Sequence, residues 1–87
     1  MEKQKVIECP ESMKIARRVA TKFKKSRLET MLVEYEYEPS YINYAIVREI
    51  AGLLSDVKII TYNEYQTIIS ELMAGAINGL RNGKKET

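Results

Sequence analysis

The chain has 87 residues, 45% of them hydrophobic and 30% charged, with a net charge of +2, one cysteine and no histidine. That is one domain's worth of sequence, with too much apolar content for a disordered chain and enough for a single small core. One thiol forms no internal disulfide, the missing His removes the usual zinc set and the commonest general base, and no apolar run suits a membrane span or signal core, so the expectation is a cytoplasmic, non-enzymatic protein without metal or cofactor.

"MEKQKVIECP" carries a short apolar cluster, Val6, Ile7 and Cys9, ahead of a proline suited to a helix start. It reads as a loose arm or a brief edge strand. From Glu11 to about Lys25, Ile15, Ala16, Val19, Ala20 and Phe23 gather on one side at helical spacing, with Lys14, Arg18 and Lys25 opposite. "RLETMLVEYEYEP" fits two templates. Leu28, Met31, Leu32 and Tyr35 keep helical spacing, whereas Met31, Val33, Tyr35 and Tyr37 alternate with Leu32, Glu34, Glu36 and Glu38 as in a half-buried strand. Helix is the preferred reading, since a strand here could pair only with the segments around Val6 and Val57–Ile60.

Glu38-Pro39-Ser40 marks a boundary, with Ser40 as N-cap of a helix from Tyr41. In "YINYAIVREIAGLLSD" the apolar residues cover more than half the circumference, which predicts the most buried helix. "SDVKII" breaks that pattern, and Thr61 with Glu64 supplies a capping box for a last helix from Tyr62 to about Leu80, ended by Gly79, Asn82 and Gly83. The fold expected is all-α, a small antiparallel bundle of three to four helices in a single domain 1–87. The arm 1–10 and the tail 81–87 are expected to be flexible. The alternative is α+β, with a short sheet from 5–9, 29–37 and 57–60. The predicted core is Val19, Phe23, Met31, Ile46, Ile50, Leu53, Ile69, Leu72 and Met73.

"LLSDVKIITYNEYQTIISELM" resembles the helical hairpin of the short C-terminal domain family, SHOCT, of small bacterial proteins. The shared features are an apolar helix end, an Ile-Thr pair with Thr as N-cap, Glu64-Tyr65, and Ile68 and Leu72 at helical spacing. "SDVKI" stands in place of that family's glycine-containing turn, and Asn63 in place of a second acidic residue. The resemblance covers about a quarter of the chain. It implies a protein-interaction or oligomerisation element and no catalytic residues.

Charge is polarised along the sequence. Lys14, Arg17, Arg18, Lys22, Lys24, Lys25 and Arg27 form a run without an acid, followed by Glu29, Glu34, Glu36 and Glu38 without a base. The basic run is either a phosphate-binding surface or the solvated side of a helix, and Glu34, Glu36 and Glu38 read as a solvated acidic edge. Tyr35, Tyr37, Tyr41, Tyr44, Tyr62 and Tyr65 are candidate interface residues or half-buried rings. Cys9 precedes a helix start, where the dipole can activate a thiol, but no His is present to serve as its base. The first expectation is therefore a helical interaction module that self-associates, a regulatory protein of a bacterium, phage or mobile element. A nucleic-acid-binding accessory protein is the second.

Overall fold

The computed structural model describes residues 4–24 and 26–85, with the side chains of 76–85 outside that description. Lys25 and the last two residues of the tail therefore lie outside the described residues. Four helices follow one another, α1 Pro10–Lys22, α2 Leu28–Tyr37, α3 Tyr41–Asp56 and α4 Tyr62–Lys85. Among the described residues there is no strand, so the α+β alternative is not realised. Segment 29–37 is helical, and 57–60 is a turn. α4 stays helical beyond the stop predicted near Leu80, because glycine and asparagine permit a left-handed turn without imposing one.

The helix starts follow local chemistry. Pro10 occupies the first turn of α1. The Ser40 hydroxyl accepts from the Asn43 amide at 3.1 Å, and Thr61 and Glu64 exchange hydrogen bonds of 2.8 and 3.1 Å as a capping box. α1 differs from these, since its N-cap Cys9 offers no side-chain bond. The carboxylate of Glu71 on α4 instead accepts from the amides of Glu11 and Ser12, at 3.1 and 2.7 Å, and Glu36 of α2 accepts from the Cys9 amide at 2.8 Å. Two distant acids thus satisfy the free donors at the positive end of α1.

The helices close into a ring, α1 packing on α2 and α4, and α3 on the same two. Along the α1–α4 seam Ile7 meets Gly75, Glu11 meets Glu71 and Arg18 meets Glu64, so one segment retreats as the other advances and the pair is antiparallel. Gly75 lets the arm approach closely here, since a Cβ there would lie 2.7 Å from Ile7 Cδ1 and make that terminal methyl shift. Residues 4–9, the described part of the segment before Pro10, are not an edge strand. The amides of Val6 and Ile7 both donate to the Glu36 carbonyl, at 2.9 and 3.2 Å, which ties residues 5–9 across the end of α2.

The core is built on Met13, Ala16 and Val19 of α1, Leu28, Leu32 and Tyr35 of α2, Val47, Ala51 and Leu54 of α3, and Ile68 and Leu72 of α4. Tyr35 is fully buried and donates its hydroxyl to the Leu72 carbonyl at 2.6 Å, bridging α2 to α4 through the centre. Of the predicted core, Val19 and Leu72 are buried, while Met31, Ile50 and Ile69 are only half-buried. Phe23, Ile46, Leu53 and Met73 are exposed, contrary to expectation. For Phe23 the reason is local: α1 ends at Lys22, and the non-helical backbone of Phe23 takes its ring off the apolar stripe. For Ile46 and Leu53 the reason is tertiary, because they lie on the flank of α3 that neither α2 nor α4 covers. α3 is therefore not the most buried helix.

Candidate functional site

The basic run divides in two. Its first half is spent on ion pairs within the bundle, Lys14 with Glu11 at 3.6 Å, Arg17 with Glu29 at 3.4 Å, and Arg18 with Glu64. The hydrogen bond from Arg18 lowers the pKa of Glu64, and the same contact raises that of the guanidinium. These partners are Glu11, Glu29 and Glu64, not the acidic edge 34–38. Lys22, Lys24 and Arg27 are exposed and make no ion pair among the described residues.

The acidic edge also divides. Glu34 and Glu38 are exposed, but Glu36 is buried, which corrects the reading of all three as solvated. One Glu36 oxygen accepts from Cys9, and the other lies 3.3 Å from Lys5 Nζ, a charge contact without hydrogen-bond geometry. Cys9 is fully buried beside these groups. Burial above all, then the charges of Glu71 and Glu36, pushes its thiol up to about 12, the opposite of an activated nucleophile.

The tyrosines do not form one patch. Tyr35 is in the core, Tyr37, Tyr44 and Tyr65 are half-buried, and Tyr41 and Tyr62 are exposed at the starts of α3 and α4. Each exposed ring sits beside a half-buried one in its own helix, Tyr41 6.2 Å from Tyr44 and Tyr62 6.1 Å from Tyr65 between ring centroids. Arg48 lies over the Tyr44 ring at 5.6 Å, a cation–π contact that holds it against its own helix.

The surface that stands out was not among the predicted sites. Ile42, Ile46, Ile50, Leu53 and Val57 fall within an arc of about 80° on α3 at 100° per residue, next to the arc that Val47, Ala51 and Leu54 bury in the core. Ile42 is 70% exposed, Leu53 61% and Val57 64%. At the C-terminal end of this stripe Phe23, Ser26, Arg27, Ile50, Leu53, Leu54, Val57 and Ile59 enclose an open apolar groove of about 300 Å³. Contiguous apolar surface of this kind marks a contact site on a folded protein. Its signal in the sequence was the apolar coverage of more than half of α3, more than one contact face requires.

The groove ends in a strained turn. After α3 the Lys58 amide donates to the Ser55 carbonyl at 3.0 Å and the Ile59 amide to the Leu54 carbonyl at 2.8 Å, the paired bonds of a Schellman motif. Its left-handed position is held by Lys58 at φ 63°, where glycine would be free of strain. A lysine is thus kept at the groove rim at some conformational cost.

No protein-family model, curated protein or solved structure matches this chain. No helix among the described residues is long and apolar enough to cross a membrane, and no group of three or more His, Cys, Asp or Glu among them could hold a metal ion.

Proposed function

We propose that this chain is a non-enzymatic protein-interaction module that receives a partner helix on the open face of α3. The observation that carries this is the uncovered stripe Ile42, Ile46, Leu53 and Val57 beside a groove shaped by two chain turns. Side chains at helical spacing on a rigid helix offer anchors to a second amphipathic helix, and the groove takes one large apolar side chain. This use agrees with what the SHOCT resemblance implies for the hairpin of α3 and α4. The nucleic-acid reading has less support, because Arg17 and Arg18 are engaged by Glu29 and Glu64 rather than presented to phosphates.

The test compares the wild-type chain with Leu53→Glu, an exposed position whose change leaves the core intact. Sedimentation measures self-binding, and capture on the immobilised chain measures binding of other proteins. Binding by the wild type that Leu53→Glu abolishes, with unchanged circular dichroism, supports the reading. Equal binding by both forms, or no protein binding at all, defeats it. Gel shifts in about 50 mM salt, where phosphate contacts are little screened, with a log–log slope near −0.9 per neutralised phosphate would favour nucleic acid instead.

A further inference from the structure

The open face of α3 carries unequal charge at its two ends. Lys22, Lys24, Arg27 and Lys58 each line the groove or adjoin a residue that does, and none makes an ion pair among the described residues. By the same measure Glu49, next to Ile50, and Asp56, next to Val57, are the acids among them. At the N-terminal end stands Glu38, held there by the Asn43 side-chain amide donating to its carbonyl at 2.8 Å, with Glu34 one turn earlier. Both of these carboxylates are exposed and without an ion pair among the described residues.

From this arrangement we infer that the occupant of the stripe is a second copy of the chain, with the two α3 helices packed antiparallel about a two-fold axis near Ile50. This rests on the proposed use of the α3 face and names its partner. In such a pair Ile42 of one copy covers Val57 of the other, and Ile46 covers Leu53, so the same patch serves on both sides. On the helical wheel Asn43, with Glu38 behind it, and the groove with Arg27 lie on one side of the stripe, and Glu49 and Asp56 on the other. Turning the helix end for end keeps each side facing its own kind. Arg27 of one copy then meets Glu38 of its partner, and the cation left free in the groove of the single chain finds its counter-charge. Glu49 and Asp56 stay on the outer rim in water, where the two Glu49 carboxylates approach near the axis.

Cysteine cross-linking reads this geometry directly, and the buried thiol of Cys9 does not interfere. Ile50→Cys alone forms a disulfide-linked dimer on mild oxidation, and Ile42→Cys mixed with Val57→Cys forms a mixed dimer. Neither of the latter two links to itself. Arg27→Glu weakens dimerisation in sedimentation roughly five- to tenfold, the scale of a partly exposed ion pair. Arg27→Glu with Glu38→Arg restores it. Self-linking of Ile42→Cys would mean a parallel pair and overturn the inference, as would a chain that stays monomeric at millimolar concentration. A monomer that still captures another protein through Leu53 would sink the second copy and leave the interaction module standing. Loss of both would sink both.

Discussion

α2 and α3 invert the expectation that the oilier helix lies deeper. α2 reads ambiguously, with three glutamates among its ten residues and a fourth at its C-cap, yet Leu28, Leu32 and Tyr35 are fully buried and Glu36 is nearly so. α3 is apolar over more than half its circumference, yet Ile42, Leu53 and Val57 face solvent. The arm decides this, since both helices have two neighbours in the ring. α2 is covered by α1, α3 and the arm 5–9, whereas α3 is covered by α2 and α4 alone. The apolar excess of α3 beyond what two neighbours can bury is what distinguishes a contact surface from a core.

Core truncation gives the strongest test of that contrast. Leu72→Ala removes a buried side chain from the centre and should cost about 2 to 5 kcal/mol in urea unfolding, whereas Leu53→Ala should cost under about 1 kcal/mol in the monomer. Equal losses would erase the distinction between core and open face.

A second break point is alkaline pH. Burial raises the Cys9 thiol from 9.0 to about 12 and the Tyr35 hydroxyl from 10.0 to about 12. A folded-state pKa above the unfolded one stabilises below the unfolded value, and that contribution is lost as pH rises toward the folded one. Stability should therefore decline between pH 9 and 12, and Ellman's reagent should modify Cys9 only at the rate of unfolding. Fast modification of the native protein would contradict the buried thiol.

Glu36→Ala leaves the buried Cys9 amide without its acceptor and should cost about 1 to 3 kcal/mol, while Glu34→Ala, on the exposed side of the same helix, should change little. Similar effects from the two would show that α2 is not inserted as described. The smallest effect has the opposite sign. Lys58→Gly relieves the left-handed strain and should stabilise the monomer by about 1 kcal/mol while weakening partner binding. A destabilised Lys58→Gly protein would show that the turn is not strained.

Much of the fold was legible because it is local. Pro10, Ser40 and the Thr61–Glu64 box each act within a single turn of chain, and the helical spacing of Leu28, Met31, Leu32 and Tyr35 favoured helix for α2, although the core residue expected from it, Met31, is half-buried while Leu28, Leu32 and Tyr35 are the buried ones. The candidate site was far less legible. Leu53 fits an apolar stripe equally well whether or not another helix covers it, and Phe23 fits one until the helix stops at Lys22. Glu36 and Glu71 were unreadable for a related reason, since their partners lie 27 to 60 residues away. The basic run looked uniform because Glu29 and Glu64, which engage Arg17 and Arg18, come from other helices.

The borrowed carboxylates at the start of α1 bear on cooperativity. A helix whose first amides are satisfied by its own N-cap can nucleate early, whereas the amides of Cys9, Glu11 and Ser12 have acceptors only once α2 and α4 are docked. Hydrogen exchange at those amides should accordingly proceed through global opening rather than end fraying, making the first turn of α1 a reporter on the integrity of the whole bundle.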